Sequence, residues 1–304
     1  MNPEQILKSS QEQAVAAWVD RLNQIRLDKL LEKLASQDIN LDQALAELQQ
    51  MKENICSLIT NNRGGIKGLH GFIAEATEVG IENARNLIKG LDANCKWVNN
   101  NGPADLLRGN TEIQQKFVRA GGHFGLEAVR EHLEKYPYFI KDGGKYQLPK
   151  DFYEEIQRLL ELSQEDAAKE STRTYGLWKW IQKFFSESGI KPDNIEPAVT
   201  DYPEVQAGNV AHTVEKAKNE IKAEDQHRRD VAYKDSKPTL KQGMQATAVS
   251  AIAEGGMAFC LGVAKNSNRA NMLRNSQRKT GRKSELIPPK DLLKVVSEAG
   301  CSML

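Results

Sequence analysis

Four polar side chains between positions 75 and 116 follow an order that could do chemistry on a phosphate. Glu75 falls among apolar residues that recur with a helical period. Asp105 opens a short apolar run, and Gln114 and Lys116 share one face of a segment in which polar and apolar residues alternate. Carboxylates bind hard divalent cations, and a lysine beside such an ion can position water and offset developing charge. The pattern therefore predicts a site suited to metal-assisted hydrolysis of a phosphodiester.

A β-hairpin is predicted to bring these groups together. Arg108-Gly109-Asn110 is a tight polar sequence between two strand-like runs, as in short hairpin loops. Asp105 would then lie on the first strand, opposite Gln114 and Lys116 on the second. The helix that carries Glu75 lies just upstream.

This order resembles the PD-(D/E)XK nuclease superfamily. Pro103-Ala104-Asp105 would stand for the first half of its motif, and Gln114-Gln115-Lys116 for the second, in the Gln-x-Lys variant of Mrr-like restriction enzymes. Glu75 matches the acidic residue on the helix that precedes the sheet. The resemblance runs from His70 to Asp151 and implies an α/β (α+β) restriction-endonuclease-like core with helical regions on both sides.

The resemblance also implies roles for the four side chains. Glu75 and Asp105 would hold Mg²⁺, or Mn²⁺ in its place, directly or through water. Lys116 would orient or activate the attacking water, and Gln114 would fix Lys116 or the ion through its amide oxygen. The implied activity is that of an endonuclease acting on nucleic acid, with DNA as the expected substrate and restriction or anti-phage defence as the setting.

Two departures from the family pattern bear on the ligands. Pro103 stands one position early, because Ala104 precedes Asp105. Gln114 is neutral where most relatives carry an acid, so metal binding would depend on the two carboxylates and a backbone carbonyl. Glu112 alternates with Gln114 and is a substitute ligand on the same face.

Each of these residues also has an ordinary structural explanation. Asp105 ends the sequence Asn-Gly-Pro-Ala-Asp, which is rich in turn-forming residues, and could cap that turn. Glu75 could be a solvated helix acid, and Lys116 an exposed strand lysine. Their joint order and spacing, rather than any one residue, favour the hydrolytic interpretation.

Composition restricts the class of partner. The 304 residues carry a formal net charge of +1, which argues against a globally basic nucleic-acid binder, so any contact with DNA must be local. Four widely separated cysteines lack zinc-site spacing and indicate free thiols in a reducing compartment, the cytoplasm. The N-terminal sequence contains no apolar signal core, so secretion by that route is not expected. The cysteines are Cys56, Cys95, Cys260 and Cys301.

Three regions are predicted along the chain. Residues 1–62 have the pattern of a helical hairpin or short coiled coil, with a second helix starting within Asp38–Asp42. This region would pack on the next domain or mediate a homodimer. Residues 63–164 form the nuclease-like core, and residues 165–304 are mainly helical. Inside the core, further strands are predicted at 95–98 and 146–148, and helices at 126–133 and 152–162.

The C-terminal region contains three more predicted features. Prolines within 192–203 mark a loop-rich linker, and residues 210–235 a charged helix that is solvated on most sides. Residues 244–264 have the length of a membrane span, and a basic tract follows at 265–294. Glu254 would cost about 2–3 kcal/mol at the bilayer centre, so a buried or membrane-associating helix is favoured over a true membrane span.

Two other functions stay open at the level of sequence. The first is a non-catalytic interaction protein whose nuclease-like domain is degenerate. The second is a membrane-acting, toxin-like protein, in which residues 244–264 insert and the basic tract meets anionic lipid.

Overall fold

The computed structural model describes residues 3–98, 100 and 102–238. The predicted apolar helix 244–264 and basic tract 265–294 lie outside the described residues. Within the described part the protein is α+β, with seven α-helices and one five-stranded sheet. None of these seven helices combines the length and the apolarity needed to cross a membrane.

One mixed sheet organises the described chain. The helices are α1 (Pro3–Thr60), α2 (Gly65–Leu87), α3 (Leu126–Lys135), α4 (Lys150–Glu161), α5 (Gln164–Glu170), α6 (Thr172–Glu187) and α7 (Val210–Ser236). The strands are β1 (Cys95–Trp97), β2 (Leu106–Arg108), β3 (Thr111–Gln115), β4 (Lys145–Leu148) and β5 (Ile195–Pro197). They are ordered β1-β2-β3-β4-β5. The first three are antiparallel, whereas β4 and β5 run parallel to their neighbours because helices form the crossovers that precede them.

The predicted hairpin and its neighbouring elements are confirmed. Gly109 and Asn110 join β2 to β3, and Gly109 takes a left-handed φ of 60°, as a short hairpin turn requires. Glu75 lies on α2, upstream of the sheet. The structure also contains the expected strand before the hairpin, the helix after it, and the parallel strand that follows.

The helical hairpin predicted for residues 1–62 is wrong, because α1 is a single helix of 58 residues, whereas the alternative of a short coiled coil stays a prediction. The proposed start at Asp38–Asp42 lies inside it. Between Pro3 and Gly64 the sequence contains no glycine or proline, so nothing interrupts the helical hydrogen bonds. The predicted break at Asn61–Gly65 is confirmed, since α1 ends at Thr60 and α2 begins at Gly65.

The prediction of a loop-rich linker is also wrong in part, because residues Ile195–Pro197 form the edge strand β5. An edge strand tolerates Pro197, since one of its sides needs no hydrogen-bond donor. The chain divides into two compact units, and the larger, Arg26–Lys237, contains the whole sheet. The predicted boundaries at 62 and 164 therefore fall inside this unit. In the smaller unit, Met1–Ile25 with Pro238–Leu304, the described part is Pro238 and the N-terminal portion of α1.

Two hydrophobic cores lie on opposite faces of the sheet. Along β4, Tyr146 and Leu148 belong to the core that includes α3, α4 and α6, whereas the intervening Gln147 bonds to Glu78 of α2. The other core joins α1, α2 and α7. Helix α7 buries Ile221 and its neighbours there along one face, and most of its other side chains are exposed, so the prediction of a charged helix solvated on most sides is confirmed.

Helices α1 and α2 pack closely where Gly80 faces Met51. A Cβ built at Gly80 would lie 2.5 Å from the Cβ of Met51, closer than the 3.0 Å that such atoms keep. Glycine at this position therefore allows α2 to approach α1, and α2 is the helix that carries Glu75.

Gly80→Ala is expected to lower the free energy of unfolding by about 1–3 kcal/mol, because the added methyl overpacks this contact. Gly71→Ala is the matched control, since Gly71 lies in the same helix with nothing within 4 Å of a built Cβ. That control should raise the free energy of unfolding by about 0.5–1 kcal/mol through helix propensity. Urea titration measures both, and equal values for the two variants would contradict the close approach.

Candidate active site

Asp105 is held by hydrogen bonds from its backbone and its side chain. Its N–H donates to the carbonyl of Ile113 at 2.9 Å, and its carbonyl accepts from the N–H of Val98 at 2.8 Å. Its Oδ2 accepts the backbone N–H of Gln115 at 2.9 Å and a side-chain hydrogen bond from Gln114 Nε2. Both side-chain bonds go to Oδ2, so Oδ1 is the oxygen that remains for a ligand.

Glu75 reaches the same end of the sheet from α2. Its Oε2 accepts a hydrogen bond from Trp97 Nε1 on β1 at 2.6 Å. Burial raises the pKa of Glu75 to about 8, and the negative charge of Asp105 adds to that rise. The Trp97 hydrogen bond and the positive charges of Arg63 and Lys116 act in the opposite direction. Glu75 and Asp105 are therefore electrostatic neighbours, as the sequence predicts.

Lys116 follows the last residue of β3 and is half-buried. Its backbone N–H donates to the carbonyl of Gln147 at 2.9 Å, which fixes the strand end against β4. Burial lowers the pKa of Lys116, while the charges of Asp105 and Glu75 oppose that shift. Burial also raises the pKa of Asp105, and the Gln115 N–H and the Lys116 charge oppose it. The Lys116 ammonium thus stabilises the charged forms of the Glu75 and Asp105 carboxyls, and they stabilise its charged form, although all three are partly buried.

Gln114 also contacts Asp105, which the sequence did not predict. Its side chain is buried, and its Nε2 donates to Asp105 Oδ2 and to the backbone carbonyl of Gln115 at 3.1 Å. These hydrogen bonds use the amide N–H and fix Asp105, whereas the expected role of the amide oxygen, to fix Lys116 or the ion, stays a prediction. Glu112, the substitute ligand, is exposed and in register with Leu107 in the middle of the hairpin.

Two residues of the site, Trp97 and Arg63, were missed by sequence reasoning. The pattern places Trp97 only in a strand and Arg63 only in a break between helices. The Arg63 guanidinium carbon lies 5.2 Å from the Trp97 ring centroid and 4.6 Å from that of Phe72. The sequence does contain a signal for the contact between Trp97 and Glu75. A half-buried indole N–H needs a hydrogen-bond acceptor, and the helix that precedes the Trp97 strand carries an acidic residue.

A buried polar layer also lies behind the site, between α2 and the sheet. Gln147 Nε2 donates to Glu78 Oε1 at 2.9 Å and to Glu196 Oε1 at 2.8 Å. Gln147 Oε1 accepts from Gln115 Nε2 at 3.0 Å. Glu196 also accepts two hydrogen bonds from Arg108, at 2.7 and 2.8 Å. Neighbouring strands therefore share one hydrogen-bonded network beneath α2.

Glu78 is the most deeply buried acid of that layer, with 2% of its surface exposed. Its Oε2 accepts the backbone N–H of Val199 at 2.8 Å. Burial nevertheless raises its pKa to about 7. Since Glu78 lies one helical turn after Glu75, the layer fixes the position of α2 where it carries the site.

The donor set fits a hard divalent cation. Among the described residues no cluster of three or more His, Cys, Asp or Glu side chains is arranged to hold a metal. Mg²⁺, however, keeps several waters and is usually bound through one or two carboxylates. Glu75 and Asp105 supply two, and both have pKa values raised by burial. A cation between them would offset the cost of burying two negative charges.

Comparisons with known proteins do not identify the chain. No protein-family model, curated protein or solved structure matches it. The chemistry of the site therefore has to be argued from its own geometry.

The pH dependence of stability tests the environment of Glu75. Between pH 4.5, its usual pKa, and about 8, the native carboxyl keeps a proton that the unfolded one has lost, so stability falls as the pH rises. Glu75→Gln keeps an acceptor for Trp97 and removes the charge. It should raise the free energy of unfolding by about 1–3 kcal/mol at about pH 9 and change it little at about pH 5.

The control for this prediction is Glu112→Gln, which removes an exposed carboxylate from the same hairpin. Its unfolding curves should follow those of the wild type at both pH values. Denaturant titrations at the two pH values measure the effect. A Glu75→Gln profile parallel to the wild-type profile would show that the carboxyl is ionised throughout the range.

Proposed function

We propose that the protein is a metal-dependent nuclease that hydrolyses phosphodiester bonds of DNA through a PD-(D/E)XK-type site. The observation that carries this proposal is that Glu75, held by Trp97, and Asp105, held by Gln114 and Gln115, lie near the Lys116 ammonium at one end of the sheet. Two carboxylates and a lysine, partly removed from water, are the groups that metal-assisted phosphodiester hydrolysis needs.

The order of elements supports the restriction-endonuclease-like assignment. The resemblance implies a helix with an acid, a strand, the motif hairpin, a core helix and a further strand. The chain has α2, β1, the β2–β3 hairpin, α3 and β4 in that order. The acid and the two motif halves then come from three separate elements that meet through tertiary packing.

The proposed mechanism divides the work among these side chains. Glu75 and Asp105 would hold Mg²⁺, or Mn²⁺, which when bound supplies a Lewis acid for the phosphate and lowers the pKa of a bound water. Asp105 is oriented by Gln114 and by the Gln115 N–H, and Glu75 by the Trp97 N–H. Lys116 donates hydrogen bonds from its ammonium, which orients the attacking water and offsets charge on the phosphate oxygens.

One observation favours a second function, that of a non-catalytic interaction protein on the same fold. Gln114 is neutral, and its amide N–H donates a hydrogen bond to Asp105. This hydrogen bond would compete with a cation for the Asp105 carboxylate. Metal-dependent cleavage separates the two functions, because a degenerate site would bind nucleic acid or protein without cutting.

Cleavage of plasmid DNA and of circular single-stranded DNA with Mg²⁺ or Mn²⁺ tests the proposed function. We expect the wild type to cut, and chelation of the metal to stop cutting. Asp105→Ala and Lys116→Ala should each lower the rate by about 10²–10⁴-fold, because each removes a group that stabilises the transition state.

The matched controls are Asp142→Ala and Lys141→Ala, which remove the same side-chain types from the exposed turn before β4. These two should cut as fast as the wild type. Circular dichroism verifies that all four variants are folded. A wild type that cuts neither substrate with either metal overturns the proposal, as do Asp105→Ala and Lys116→Ala proteins that cut at the wild-type rate.

A further inference from the structure

A pocket opens next to Trp97, the residue that donates a hydrogen bond to Glu75. It lies between the C-terminal end of α1, the turn that follows, and β1, and its volume is about 160 Å³. Its lining consists of Asn54, Ser57, Leu58, Asn61, Arg63 and Trp97. All six belong to the unit that contains the sheet.

The turn between α1 and α2 shapes one wall of this pocket. Asn62 and Gly64 take left-handed φ values of 45° and 79°. A Cβ built at Gly64 would lie 2.7 Å from Cε2 of Phe72, so glycine is required there by both conformation and space. The turn thereby sets Arg63 over the rings of Phe72 and Trp97.

Trp97 connects the pocket to the proposed catalytic site. This residue lines the pocket, and its Nε1 donates to Glu75 Oε2 at 2.6 Å. A group bound in the pocket is therefore separated from the Glu75 carboxyl by a single side chain. That is the spacing expected of a neighbouring part of the same substrate.

The lining matches the chemistry of a nucleobase. Asn54 Oδ1 accepts from Gln50 and Asn61 Nδ2 donates to Ser57 Oγ, each at 3.2 Å. These bonds leave the side-chain N–H groups of Asn54 and the side-chain carbonyl oxygen of Asn61 available to bind a ligand. One donor and one acceptor beside an indole ring suit a flat base with a polar edge.

The size of the pocket points the same way. Sites that enclose a whole small molecule usually have volumes of about 300–1,000 Å³, well above this one. The volume of about 160 Å³ suits one flat ring system that belongs to a longer ligand. A base in a closed duplex cannot enter, because its edge and faces are occupied by pairing and stacking.

We propose that this pocket binds one unpaired base of the DNA strand whose phosphate lies at Glu75 and Asp105, so the substrate is single-stranded DNA. The inference rests on the proposed nuclease function and names its substrate class. It also agrees with the net charge of +1, because base contacts then contribute affinity that a highly basic surface would otherwise supply.

Fluorescence anisotropy without divalent metal tests the inference on the full chain. The probes are a labelled DNA strand of about 12 nucleotides, its duplex, and an abasic strand of equal length, which keeps the phosphates and lacks the bases. Asn54→Ala and Asn61→Ala should each raise the Kd for the base-containing strand about 10-fold, comparable to the loss of one base contact. Neither should change the Kd for the duplex or the abasic strand.

The matched control is Gln49→Ala, which removes an exposed amide from α1 outside the pocket and should bind all three probes like the wild type. Equal binding of the base-containing strand by the wild type and both pocket variants overturns the inference. So does an equal loss on the abasic strand, which would mean a phosphate contact. If the wild type cuts DNA while the pocket variants bind normally, the proposed base pocket is refuted and the proposed nuclease function stands. If it neither cuts nor binds any probe, the nuclease function fails with it.

Discussion

The burial of three ionisable side chains against one end of the sheet is the constraint on which the proposed site depends. Glu75, Asp105 and Lys116 each lose hydration there. That loss raises the pKa values of the two carboxyls and lowers the pKa of the lysine, which favours the neutral form of each group. Isolated charges in such a place would be far more costly than paired ones. The two hydrophobic cores hold the elements together despite this cost, and a cation between the carboxylates would offset it.

Alternation along β3 lets neighbouring residues serve both faces of the sheet. Gln114 turns its amide toward Asp105, whereas Gln115 turns its amide to Gln147 in the layer beneath α2. The backbone N–H of Gln115 meanwhile holds the same Asp105 oxygen. The segment that positions the proposed catalytic aspartate is thus tied to the network that positions α2.

Local patterns predicted the parts of the site, and tertiary contacts decided how they meet. The α2 repeat and the alternation of β3 are short-range signals, so the helix and hairpin were predictable. β5 was not, because three residues that end at Pro197 have no periodicity to detect. The direction of the Gln114 amide and the bond from Trp97 to Glu75 depend on packing between distant segments, which no spacing in the sequence encodes.

Hydrogen bonds to its own helix and side chain fix the position of Glu75. Glu78, one turn later on α2, accepts hydrogen bonds from Gln147 on β4 and from the backbone of Val199 just beyond β5. A shift of α2 along the sheet would break both bonds and leave a buried carboxyl without partners, at a cost of several kcal/mol. The same shift would pull Glu75 from Trp97. The side chain of Glu75 is therefore preorganised by a buried layer behind it, as the proposed site requires.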